Sequence, residues 1–221
     1  MDSGLDARTP FVYPEEVRSF LSETPTSGNH PESSPASSPG SCGASGGGGD
    51  AHGSRVCQIV ASQDPVRLGI APACTLYVAK VITEVPGTRM AWQNLCRPLD
   101  WAVQIGADVV LMALAFTEHS RLFDDRLADL DRRGVIVVAA HSPLWQWPHS
   151  HPGVVAVGGP DSPQGVDLTA PVGTSPDWAD ARQRPFRGTS VAAALVAGLA
   201  ACAKSYNRSI DRRSFIEQLT S

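Results

Sequence analysis

Residues 100–140 read DWAVQIGADVVLMALAFTEHSRLFDDRLADLDRRGVIVVAA. Within this stretch, DVVLMAL (108–114) and VIVVAA (135–140) are continuous apolar runs of strand length, rich in valine. Residues 122–133 lie between them and read as a charged amphipathic helix. A strand with no polar face has to be covered on both sides, so strands of this kind joined through a helix predict a parallel sheet between helical layers.

The same alternation extends outward. Upstream, residues 52–62 are helical in pattern, TLYVAKVI (75–82) is a further buried strand, and a helix is expected near residues 90–105. Downstream come the strand VVAVGG (154–159), a helix of small residues from about Ser190, and an amphipathic segment at 209–219 with Ser209 or Asp211 as its N-cap. The expected class is α/β: a doubly wound, mainly parallel sheet with helices on both faces. Residues 22–50, dominated by Ser, Pro and Gly and ending in SCGASGGGGD, cannot repay their ordering entropy by burying apolar surface. They are expected to form a flexible loop within a single domain spanning residues 1–221.

The composition excludes several classes of function. With 42% hydrophobic residues the chain is suited to closing a substantial core, and a net charge of -4 without any Lys/Arg run argues against nucleic acid as a partner. The longest apolar runs, 108–114 and 191–201, are shorter than the roughly 20 residues a membrane span needs. MDSGLDARTP has no basic stretch leading into an apolar one, so a cytoplasmic location is expected. The five cysteines are scattered and without a CxxC pair, which suits reduced thiols, and Cys57, Cys74 and Cys202 are expected in the core. His141, His149 and His151 lie close together but present no ligand set in register, so no metal and no cofactor are expected.

Two short stretches carry chemistry. In RGTSVAAALVAGLAA (187–201), Ser190 falls on the first turn of a helix. Its hydroxyl there faces the positive end of the helix dipole and backbone N–H groups able to hold an oxyanion, although an ordinary N-cap serine fits the same pattern. In DAHGSRVCQIVA (50–61), His52 opens a helix, where the dipole disfavours its charged form and helps keep the imidazole able to accept a proton. A capping or surface histidine fits that position as well.

Taken in order, these stretches and others resemble the subtilisin-like (subtilase) serine protease family. HGSRVCQIVA resembles its HGTHVAG-type helix, GIAPACTLYVAKVI its GVAP segment, DWAVQIGADVVLMAL its GADVINMSLG stretch, HPGVVAVGG its YPSVIAVGA, DLTAP its D-x-x-AP, and GTSVAAALVAG its GTSMASPHVAG. The resemblance covers most of residues 52–201 and points further to MDSGLD as the family's DSG-x-D segment. It implies a triad of Asp2, His52 and Ser190 in the family's chain order, with Ser190 as nucleophile, His52 as general base and Asp2 as orienting carboxylate. Asp6 corresponds to a residue outside the triad. The implied reaction is hydrolysis of a peptide or protein substrate through an acyl-enzyme, with an extended peptide added as a strand beside Leu111, Ala113, Leu114 and Ala115.

The chain departs from the family at several positions. The residues that would form the strand before Asp2 are absent, so the expectation is that an upstream segment or a partner chain supplies it, or that Asp2 is held loosely and the triad is weak. The family's oxyanion asparagine has no equivalent in HSPLWQWPHSHP (141–152), leaving the Ser190 backbone N–H with His141, Ser142 or Gln146 as donors. Losing one such donor costs about 10²- to 10³-fold in turnover, a magnitude measured in this family. Arg55 stands where the family has a second His, Ala194 and Leu195 where it has Pro and His, and Trp145 and Trp147 flank the pocket region. Two alternatives therefore stand beside a peptidase: a subtilase-like module that binds peptide or protein without cutting it, and a ligase or macrocyclase that passes the acyl group to an amine.

Overall fold

The computed structural model describes residues 1–2, 9, 11–21, 51–82, 92–162, 165–173 and 186–221. The loop expected at 22–50, Asp6, Cys42 and the first residues of the helix expected from 90 lie outside the described residues. In chain order the elements are β1 (Glu16–Ser19), α1 (Ala51–Ala61), β2 (Tyr77–Lys80), α2 (Trp92–Gln104), β3 (Val109–Met112), α3 (Arg121–Arg132), β4 (Ile136–Ala140), β5 (Val154–Gly158), β6 (Leu168–Thr169), α4 (Thr189–Tyr206) and α5 (Arg212–Thr220). Strands β3, β4, β5 and β6 form one parallel sheet in that order, and β1 pairs in parallel with β2.

Strand β4 shows why both faces had to be apolar. All of its residues are buried. Val137 and Ala139 face the core built with α2 and α3, whereas Ile136, Val138 and Ala140 face the core built with α4 and α5. The doubly wound α/β reading holds. Helix α3 lays Phe123, Leu127 and Leu130 on the sheet, all at 0% exposure, which is the helical spacing of its apolar face. Helix α4 has the length and, at a mean hydropathy of 1.3, the composition of a membrane span. It packs against α1, β3, β4 and β5, with Ala192, Ala193 and Ala194 fully buried, and so takes the place of a core helix.

The structure departs from the sequence reading in two places, strand β1 and the cysteines, and decides between the two caps offered for the last helix. Strand β1, EVRS, was not expected: it lies at the sheet edge with its last three residues exposed, so no apolar alternation marks it and only pairing with β2 makes it a strand. Helix α5 begins after Asp211, whose carboxylate accepts from the Ser214 N–H at 2.8 Å; Ser209 instead bonds to Asn207. Of the cysteines, Cys57 and Cys96 are buried, but Cys74 is half-buried and Cys202 exposed. Cys202 shares the exposed face of α4 with Leu199 and Tyr206, while Ala200 and Ala203 on either side of it pack into the core, and its thiol reaches the Ile70 carbonyl at 3.4 Å.

The turn after α1 closes tightly. The Gly69 N–H donates to the Ser62 carbonyl, and a Cβ at Gly69 would come within 2.5 Å of the Ser62 backbone nitrogen, so only glycine fits there. The turn returns the chain to β2, the strand on which Asp2 sits.

Candidate active site

Asp2 is fixed by backbone bonds. Its N–H donates to the Ala79 carbonyl at 3.2 Å, its own carbonyl accepts from Val81 N–H at 2.9 Å, and it bridges in parallel to Lys80 at the end of β2. The Met1 amine donates to the Leu111 carbonyl on β3 at 2.5 Å. The first two residues thus lie between β2 and β3 and link the two sheets. A chain end is ordered when it is tied into structure in this way, and Asp2 is 6% exposed.

His52 is on the first turn of α1, with its Nδ1 2.7 Å from Asp2 Oδ1 and 2.9 Å from Oδ2. Burial pushes the imidazole pKa down, but the hydrogen bond and the negative charge of Asp2 more than reverse this, against opposition from Arg55. The net result is a pKa above the ordinary 6.5. With Nδ1 held by the carboxylate, Nε2 is the nitrogen left to exchange protons with a substrate. The ring also meets Phe186 edge to face, with centroids 5.3 Å apart.

Ser190 is the second residue of α4, after Thr189, and the helix is capped by Gly188. Gly188 has φ 127°, a backbone conformation that residues with a Cβ rarely adopt. The ordinary N-cap reading of Ser190 is therefore displaced by one turn geometry: glycine occupies the cap and the serine lies inside the helix. One apolar cluster joins Val56 and Ile59 of α1, Ala113 beyond β3, Phe186, and Val191 and Ala194 of α4. It packs the helix that carries His52 onto the helix that carries Ser190. Asp2 lies at the carboxyl end of β2, Ala113 follows β3 and His141 follows β4, the end of a parallel α/β sheet where clefts form.

The loop after β4 is shaped by its own contacts. The Ser142 hydroxyl oxygen accepts from the Leu144 and Trp145 N–H groups at 3.3 and 3.2 Å, which commits its lone pairs to the turn and leaves only its proton to donate. The Gln146 side chain is exposed, and its carbonyl accepts from Ser150. His141 is buried, its N–H donates to the Val157 carbonyl, and its ring lies 4.7 Å from that of His149. Trp147 exchanges two backbone bonds with Phe116 and stacks on His119 and His151, so it is packed into the loop.

The β3 edge offers mainly backbone. Ala113 and Leu114 are 3% and 2% exposed and their side chains belong to the core, whereas Ala115 is half-buried. The Leu111 carbonyl already accepts the Met1 amine. Among the described residues no three His, Cys, Asp or Glu side chains stand where they could share a metal ion. The His151 Nδ1 accepts the Gly153 N–H instead.

Comparison with known proteins bears on this arrangement. The model of the subtilase family, Peptidase S8, matches residues 135–220. Subtilisin BL of Lederbergia lenta is 29% identical over 178 residues, which cover 73% of this chain and 65% of that protein. The M-protease of Shouchella clausii (strain KSM-K16) is 28% identical over 178 residues, covering 73% and 46%, and subtilisin DY of Bacillus licheniformis is 29% identical over 175, covering 69% and 63%. Residues 135–220 of the chain are thus similar to the subtilase family. The chain spans about half to two thirds of the length of these relatives. The Gly-Thr-Ser tripeptide and α4 fall inside the family match, as do β4 and β5. Phe186 was not singled out by sequence reasoning; its position directly before the Arg-Gly-Thr-Ser stretch was the available signal.

The His141–His149 contact has a measurable consequence. His149 is 8% exposed, and its Nδ1 has no hydrogen-bond partner among the described residues. Burial, reinforced by repulsion from His141, pushes its pKa down to about 4 from 6.5. The unfolded chain then takes up this proton first as pH falls, so stability is expected to drop between pH 6.5 and about 4 and to level off below. His149→Phe should flatten that decline by about 2 kcal/mol, read from urea unfolding at pH 7 and pH 4.5. An identical decline in the variant would show that other groups cause it.

Proposed function

We propose that this chain is a serine endopeptidase that hydrolyses peptide bonds through an acyl-enzyme on Ser190. His52 takes the Ser190 proton and returns it to the leaving amine, and Asp2 holds the imidazole in the required tautomer and stabilises its cation. The observation that carries this reading is the short contact of His52 Nδ1 with both oxygens of a buried Asp2 carboxylate. The substrate would be a peptide or protein segment in extended form, held by backbone near Ala115. No cofactor enters this chemistry.

The oxyanion would be held by the Ser190 N–H at the start of α4 and by a second donor from the loop after β4, either the His141 ring or the Ser142 proton. The absence of an asparagine from residues 141–152 favours slow turnover. The same observation supports a second reading, a family member that binds peptide without cutting it. Fluorophosphonate labelling of purified wild type and Ser190→Ala, read by intact mass, tests both. A single adduct on wild type and none on the variant is expected; no adduct on folded wild type would overturn the peptidase reading in favour of the binding module. Product masses from a peptide substrate then separate hydrolysis, which adds one water, from ligation.

A further inference from the structure

We infer that Phe186 is a positioning residue for His52, and that Arg55, seated over the Phe186 ring, locks it in place. This rests on the reading of His52 as general base. Nδ1 alone does not fix an imidazole: a ring bonded at one nitrogen can still swing about that bond, which would carry Nε2 away from the nucleophile. A second contact is needed, and Phe186 supplies it edge to face, with ring planes 77° apart. Phe186 is itself 8% exposed and packed in the cluster that joins α1 to α4, so it has little room to yield.

Arg55 follows His52 by one helical turn, and its guanidinium lies 5.3 Å from the centre of the Phe186 ring. One turn of α1 and the residue leading into α4 therefore form a continuous stack of guanidinium, phenyl and imidazole. Two charged groups act directly on His52: Asp2, from the first residues of the chain, and Arg55, from its own helix. Behind Asp2 lie the Met1 amine and the Cys57 thiol, with Lys80 across the bridge. The Arg55 charge opposes protonation of His52 and so favours the neutral base, whereas Asp2 favours the cation formed during proton transfer.

The test combines two measurements, one independent of Ser190. In a Ser190→Ala background, NMR follows the His52 Nδ1 proton and the titration of the ring; with Ser190 intact, the fluorophosphonate labelling rate is followed against pH. Phe186→Leu, which keeps the cluster apolar, is expected to slow labelling about 3- to 10-fold, the range that corresponds to loss of one edge-to-face aromatic contact. It should also speed solvent exchange of the Nδ1 proton, and Phe186→Tyr should restore both. Arg55→Gln should raise the pH midpoint of the His52 titration. A folded Phe186→Leu protein with unchanged labelling rate and unchanged Nδ1 exchange would overturn the positioning role. Arg55→Gln should also speed Nδ1 exchange; an unchanged exchange rate in this variant would do the same for Arg55, and it serves even where Phe186→Leu does not fold. If wild type is never labelled, the nucleophile assignment fails, and the Nδ1 proton still decides the role of Phe186.

Discussion

His52→Ala is expected to lower peptide turnover by about 10⁶-fold, the scale seen when the base is removed in subtilisin. The physical reason is that Ser190 is a weak nucleophile while it keeps its proton, and neither a helix N-terminus nor an oxyanion donor can take that proton away. The residual rate over water would come from binding and oxyanion contacts alone. The variant should fold, because His52 is on the first turn of α1 and the Val56, Ile59 and Val60 side chains that anchor this helix are unchanged. Fluorophosphonate labelling should vanish in parallel with turnover while the melting temperature changes little. Labelling at the wild-type rate in His52→Ala would mean that some other group activates the serine.

Asp2→Asn is the second large effect expected, about 10⁴-fold in turnover, because a neutral amide favours the wrong imidazole tautomer and gives the cation no support. Its pH signature is distinctive. In the wild type, general-base activity is lost as pH falls through the raised pKa of His52, which lies above 6.5. Removing the Asp2 charge leaves burial and Arg55 acting on the ring, both of which lower that pKa, so the acid limb of the profile should move to lower pH as the plateau drops. The stability linkage runs the opposite way. A raised histidine pKa contributes stability below the unfolded value and loses it as pH rises through the folded value, so the Asp2–His52 ion pair contributes most where the base is protonated and catalysis is off. A pH–rate profile of the two proteins decides the matter: a low plateau with an unmoved acid limb would mean that Asp2 acts on something other than His52.

The place of Asp2 also shows how a short segment can serve a site. Beside Lys80 it gains one backbone bond to Ala79 and one from Val81, while its carboxylate reaches His52. The pair is fifty positions apart in sequence, and its 2.7 Å contact is made across the end of β2.

Cys57 illustrates the same neighbourhood from the other side. Its thiol is pushed up to about 12, by burial first and then by the Asp2 charge, so it is a packing residue and not a second nucleophile.

Much of the architecture could be read directly from residues 100–140, because a strand covered on both faces has to be apolar at every position and an interfacial helix has to repeat its apolar face every turn. The same local rules made Asp211 a readable cap, and they placed Ser190 and His52 at the starts of their helices. Whatever depends on pairing between distant segments lay beyond local reading. Strand β1 is polar and exposed and exists through its ladder to β2; Cys202 sits in an apolar stretch yet faces solvent, because it shares the outer face of α4 with Leu199 and Tyr206. Ser142 could be named as a donor from its type, but that its lone pairs are taken up by the turn, leaving the proton, is seen only in the folded loop. Asp2 reads as a fraying chain end until β2 and β3 receive the first two residues, and Phe186 draws no notice until the ring of His52 is set against it. Side-chain chemistry and helix periodicity are local properties and are written along the chain; the orientation of the His52 imidazole is decided by contacts between segments, and only the folded sheet with its two helix layers brings those segments together.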